Sequence, residues 1–287
     1  MRAFPVVART GWKERCRDYV TGQQCRDGGF CFYRSDYIEE SNLYDTGFAL
    51  ATLRVLGVTA PRRGELESWL SAQSDPLCRN SSLSALWSYE RSLRLLNLET
   101  PRGVRETVEH CLATVALPSR EELESWDPSA LLRDLFRVAK LSTWRGLSPP
   151  ASWRPRLSAL LEALRGESGA FPKDRENLVD SAKAFFLARS FQIPIAETAL
   201  LRFARQRLTC SDVSGFWSTE SESLEAVRCG LELLAAFSQR PEEERRRTLA
   251  SQIEACQAAS GGFGRRIGAI PTLEDSYHGA KSLHLLE

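Results

Sequence analysis

The stretch that decides the fold is Gly261-Gly262-Phe263, a short basic loop, and then Leu273-Glu-Asp275-Ser-Tyr277-His278-Gly-Ala-Lys-Ser-Leu283. It recurs along the chain. Gly28-Gly29-Phe30 precedes Leu43-Tyr-Asp45-Thr-Gly-Phe48-Ala-Leu-Ala-Thr-Leu53, and Gly169-Ala170-Phe171 precedes Leu178-Val-Asp180-Ser. A fourth copy runs from Gly215-Phe216-Trp217 into a segment from Leu224 to Leu234, and two weaker copies run from Leu83 to Leu93 and from Leu131 to Leu141. The leucines that open the copies stand at 43, 83, 131, 178, 224 and 273, separated by 40, 48, 47, 46 and 49 residues. Near-equal spacing of this size marks a repeat architecture.

Each copy is preceded by an amphipathic segment, such as 154–164, 197–208 or 241–258, whose apolar residues return every three or four positions, the helical period. Gly57, Pro61, Pro101, Pro149, Pro150, Gly166, Pro194 and Pro241 punctuate the joins. The unit is therefore helix, glycine loop, helix. One hairpin cannot bury its apolar face alone, but stacked neighbours can. The reading is all-α: a single (α/α)6 toroid over residues 1–287, an inner ring of helices surrounded by an outer ring. Its repeats span approximately 10–57, 58–98, 99–145, 150–192, 193–239 and 240–287.

Composition narrows the function. The 38 basic and 37 acidic side chains leave a net charge of +1, so no field of one sign favours nucleic acid. No run of eighteen apolar residues is present to span a bilayer, and the opening residues lack the apolar core of a signal peptide. The eight cysteines stand singly, with no C-x-x-C pair. That pattern predicts reduced thiols and a cytoplasmic protein.

The Gly-Gly-Phe, loop, Leu-x-Asp-Ser/Thr pattern resembles the repeats of protein prenyltransferase β subunits and of squalene-hopene-type cyclases over nearly the whole chain. The resemblance implies a prenyltransferase-like, isoprenoid-handling protein. It implies a central cavity for an isoprenoid or another apolar small molecule, and a separate helical-repeat partner. Phe48, Trp87, Tyr89, Phe136, Phe185, Phe186 and Tyr277 fall at or near the centre of such a ring. A cyclase would carry Asp-x-Asp-Asp, which is not in the sequence. A toroid that binds lipid or protein without catalysis is the other alternative.

In the transferases, zinc is held by an Asp and a Cys on the fifth inner helix and a His on the sixth. Asp275-Ser-Tyr277-His278 looks like the sixth-helix motif, but the fifth-helix positions fall on Ala226 and Arg228. Cys229 and His278 each lie five residues after their opening leucine. Cys229, His278 and Asp275 are therefore the candidate catalytic and zinc-binding residues, or Cys229 and His278 form a thiol–imidazole pair. A buried thiol and a hydrogen-bonded core histidine are the alternative. For a diphosphate, with magnesium, the candidates are Arg34, Lys173, Arg175, Arg265 and Arg266, all in the glycine loops. Asp45, Asp180 and Asp275 open inner helices, where a carboxylate favours the helix N-terminus, with Ser41, Asn177 and Thr272 as further caps.

Overall fold

The computed structural model describes all residues except 1–10, 34–38, 80–81, 120, 148–149, 151 and 210–222. Twelve α-helices are found among the described residues: α1 (Trp12–Gly22), α2 (Leu43–Leu56), α3 (Arg63–Arg79), α4 (Leu83–Leu96), α5 (Arg102–Thr114), α6 (Pro128–Arg145), α7 (Trp153–Leu164), α8 (Leu178–Ser190), α9 (Glu197–Thr209), α10 (Leu224–Ala236), α11 (Glu243–Ala255) and α12 (Leu273–Leu286). Each even-numbered helix packs on the next, α2 on α4 and so on to α10 on α12, and α12 packs back on α2. That last contact closes the inner ring. The odd-numbered helices lie outside, α1 against both α12 and α2, and α9 against α8 and α10. The (α/α)6 toroid expected from the leucine period is what the chain forms.

The repeat motif explains how each inner helix starts. Asn42, Ser82, Asp127, Asn177, Ser223 and Thr272 are the N-caps, and each side chain accepts a backbone N–H of the first turn. Such caps satisfy donors that no helical carbonyl can reach. Asn42, rather than Ser41, caps α2; the Ser41 hydroxyl donates instead to Asp27, at 2.6 Å. The aspartates sit three residues after the cap and accept from it: Asn42 Nδ2 to Asp45 at 2.7 Å, Asn177 Nδ2 to Asp180 at 2.9 Å, Thr272 Oγ1 to Asp275 at 2.9 Å. The hydroxyl one residue later accepts the N–H of the loop phenylalanine. The Phe30, Phe171 and Phe263 amides donate to Thr46, Ser181 and Ser276, each at 3.0 Å. This bond pins each glycine loop to its own inner helix.

The inner helices also stop alike. Gly57, Asn97, Gly146, Gln192 and Ser238 all have positive φ. The residue after each donates back across the last turn, Val58 to Leu53 at 2.9 Å and Ile193 to Ala188 at 2.8 Å among them, the bond pattern of a left-handed helix stop.

The first glycine of the loop motif sets the spacing between hairpins. Gly28, Gly169 and Gly261 have φ of +98°, +86° and +97°. A methyl group on Gly28 would lie 2.3 Å from the Glu65 carbonyl carbon of α3, and one on Gly261 would lie 2.2 Å from the Arg15 oxygen of α1. Each loop thus rests against the first turns of the next outer helix. At the seam between last and first repeats, Tyr19 Oη donates to the Pro271 carbonyl at 2.9 Å, Gln257 donates to the Trp12 carbonyl at 3.0 Å, and Lys13 pairs with Glu287 at 2.6 Å. No described helix is long and apolar enough to cross a membrane.

Candidate functional site

The inner ring encloses a lumen of about 540 Å³. Phe48, Trp87, Phe136, Phe186 and Tyr277 line it, as the sequence predicts. Tyr89 and Phe185 do not. They are 0% and 1% exposed, and Phe185 stacks between Phe186 and Phe237, with ring centres 5.2 and 5.1 Å away. Each residue turns a helix by about 100°, so Trp87 and Tyr89 point to nearly opposite sides and only one can face the lumen.

The lumen is not the apolar cavity anticipated. Six cationic side chains line it, Arg91, Arg133, Arg137, Lys140, Lys183 and Arg228, against three acidic ones, Glu225, Glu232 and Glu274. Arg91, Arg137, Lys140 and Arg228 lie over aromatic rings. The Arg91 guanidinium is 4.7 Å from the Phe48 ring centre, 4.8 Å from that of Tyr277 and 5.0 Å from that of Trp87. Lys140 is 5.3 Å from Phe136 and 5.6 Å from Phe186. Such placements give an otherwise desolvated cation a favourable surface.

These charged residues were missed, although a signal was there. Counted from the opening leucine, the lumen positions are one, four, five and eight residues on: Tyr44 and Phe48, Trp87 and Arg91, Lys183 and Phe186, Glu225, Arg228 and Glu232, Glu274, Tyr277 and His278. On α6, which starts three residues before Leu131, the stripe is displaced by one: Arg133, Phe136, Arg137, Lys140. That stripe is a helix face, and it is as charged as it is aromatic.

A second cavity of about 360 Å³ shares Tyr44, Glu225, Glu274 and His278 with the lumen and adds Phe32, Asp45, Ser223, Arg265, Thr272 and Asp275. It forms a mouth at the N-terminal ends of α2, α10 and α12. The Tyr44 hydroxyl donates to Glu274 at 2.6 Å. His278 Nδ1 accepts from Arg228 Nε at 2.9 Å, which puts the ring proton on Nε2, 3.7 Å from Glu274. Burial alone would raise the Glu274 carboxyl, but His278 and the Tyr44 hydroxyl beside it outweigh burial and hold it low. Burial raises its neighbour Asp275. Two adjacent acids are thus pushed in opposite directions.

Cys229 and His278 do come together, with Arg228 between them: its Nη2 is 3.2 Å from the Cys229 sulfur. A zinc ion does not fit these residues. Burial pushes the Cys229 thiol up to about 12. A guanidinium occupies the space between thiol and imidazole, and no three His, Cys, Asp or Glu side chains converge among the described residues. The proposed diphosphate rim is dispersed too. Arg265 lines the mouth, Arg266 is exposed beside it, and Lys173 and Arg175 are exposed on the loop before α8, on another part of the ring. Arg34 lies outside the described residues, as does the Gly215-Phe216-Trp217 loop.

No protein-family model matches the chain, and no curated protein matches it in sequence. Solved structures do. The GH76A alpha-1,6-mannanase from Salegentibacter sp. HEL1_6 superposes with a TM-score of 0.61 at 12% identity, covering 96% of this chain and 99% of that one. An inactive variant of that mannanase, with two adjacent aspartates replaced by alanine and alpha-1,6-mannotetrose bound, superposes at 0.56 with 11% identity, covering 97% and 100%. At such identities the likeness is one of fold. It overturns the prenyltransferase resemblance all the same: these two matching rings, aligned over their full length, are glycoside hydrolases. The isoprenoid-handling and transferase expectations fall with it, and the charged lumen is the physical reason. Burying isoprenoid carbons against six cations would desolvate charge for no compensating bond.

Proposed function

We propose that the ring takes a saccharide into its lumen and that Glu274 and Asp275, at the mouth, carry glycosidic bond cleavage. The observation that carries this reading is the pair itself: neighbouring carboxyls at one opening, Glu274 held low and Asp275 held high. Glycoside hydrolysis needs one carboxylic acid to protonate the leaving oxygen and one carboxylate to act opposite it. Asp275 is the proton donor and Glu274 the anion. The lumen supports the same reading. Trp87, Tyr277 and Phe48 give the lumen an aromatic wall, and the charged groups between them offer hydrogen bonds to sugar hydroxyls. The likeness to the mannanases adds support at the level of fold. The seven described cysteines, all free, suit a reducing compartment.

The test is release of reducing ends from alpha-linked oligomannosides. Glu274→Gln and Asp275→Asn should each lower turnover at least a hundredfold while leaving binding in place. Turnover unchanged in both variants would sink the catalytic assignment. One observation favours a second reading, a ring that binds saccharides without cleaving them. The sequence contains no Asp-Asp dipeptide, the pair whose replacement accompanies the inactive mannanase. Saturable binding with no turnover in the wild type would select it.

A further inference from the structure

The lumen's cations are not all accounted for by its own acids. Arg133 and Arg137 share Asp134, at 3.5 and 3.1 Å, Lys183 lies 3.6 Å from Asp180, and Arg228 pairs with Glu232 at 2.5 Å. Arg91 and Lys140 have no hydrogen-bond or ion-pair partner among the described residues. What holds them is aromatic rings, three around Arg91 and two beside Lys140. Glu232, the acid whose field reaches both, is already engaged by Arg228. Burial works against both charges, lowering the Arg91 and Lys140 pKa values. Two partly buried cations facing one cavity without counter-ions of their own are an unusual arrangement, and an anion bound beside them would relieve it.

From these two unpaired cations in one cavity we infer that the lumen is a subsite for an anionic saccharide, one bearing carboxylate or sulfate groups that Arg91 and Lys140 bind. The inference rests on the saccharide reading above and narrows it. The planar guanidinium of Arg91 can donate two parallel bonds to a carboxylate or sulfate, and Lys140 adds a point charge. The rings that stack on the two cations hold them at the lumen wall, where they face the cavity.

Titration calorimetry at low and high salt tests this, with four probes: neutral alpha-1,6-mannotetrose, a trigalacturonate, a sulfated trisaccharide and inorganic sulfate. At least one acidic saccharide should bind ten-fold or more tighter than the neutral one, an advantage that shrinks at high salt. Arg91→Gln and Lys140→Gln should each weaken that binding about ten-fold, about 1.4 kcal/mol, and weaken the neutral probe by a smaller factor. Arg91→Lys should recover part of the loss. Which acidic probe responds separates carboxylate from sulfate. Neutral binding as tight as acidic binding overturns the anionic subsite and leaves the saccharide reading standing. Sulfate binding with no saccharide binding overturns the saccharide reading, and this assignment with it. No binding by any probe overturns both. Two variants guard against one failing to fold, and a thermal melt of each identifies that case.

Discussion

At the scale of single residues, the mouth turns on how Glu274 is kept ionised beside a neighbour that resists ionisation. Tyr44, from the first repeat, donates to Glu274 in the sixth, so the seam between repeats also tunes the acid pair. Activity by the proposed route requires Glu274 charged and Asp275 protonated. It should fall as pH drops through the depressed Glu274 value, and fall again as pH rises through the elevated Asp275 value. Tyr44→Phe removes one of the bonds holding Glu274 low. The acid limb of the pH–rate profile should therefore move to higher pH while the alkaline limb stays. An acid limb that does not move would mean Tyr44 has no part in setting the Glu274 charge. The sequence showed Asp275 and His278 but not their company. Cys229 and His278 share a repeat position and do approach each other. Arg228 filled the gap because position four of a lumen stripe faces the same space as position five, and no pattern of ligand types reveals a guanidinium already lying there.

Among the elements, the repeat was legible because it is built from local rules. The cap, the aspartate three residues later and the hydroxyl that holds the loop phenylalanine all act within one hairpin, so each copy writes them into its own sequence. The aromatic wall was legible only in part. Tyr89 and Phe185 lie on inner helices, as inferred, but turn toward the outer layer. The opening leucine gave the period but not the angle about the helix axis. A deeper reliance on neighbours shows at Glu90, 1% exposed on α4, which pairs with Arg145 at the end of α6 and accepts from Thr100 at 3.1 Å. Nothing near Glu90 in sequence announces that partner. The glycine loops give the element-scale test. Gly261→Ala forces a methyl into the Arg15 carbonyl and a side chain onto φ of +97°, so it should destabilise by well over about 1 kcal/mol. Gly57→Ala has positive φ but open space and should cost only about 1 kcal/mol. Equal melting-temperature losses for the two would show that the loop-to-helix contact contributes nothing.

For the whole molecule, architecture and activity parted company. Six near-equal repeats close into a ring whatever fills it, since each outer and inner helix buries its faces on neighbours until the last meets the first. What the ring handles is decided by the lumen side chains that packing leaves free to vary, and there a shared repeat pattern misled. The closing contacts carry one more consequence. Lys13 and Glu287 sit 2.6 Å apart, so the backbone that joins one hairpin to the next has no privileged starting place. A circular permutant that links residue 287 to residue 11 through a short flexible peptide, and begins instead at Glu99 in the turn before α5, should fold to the same helical content with a melting temperature close to that of the parent. A permutant that stays unfolded by circular dichroism would mean that the order in which the hairpins are strung matters to this ring as well as their number.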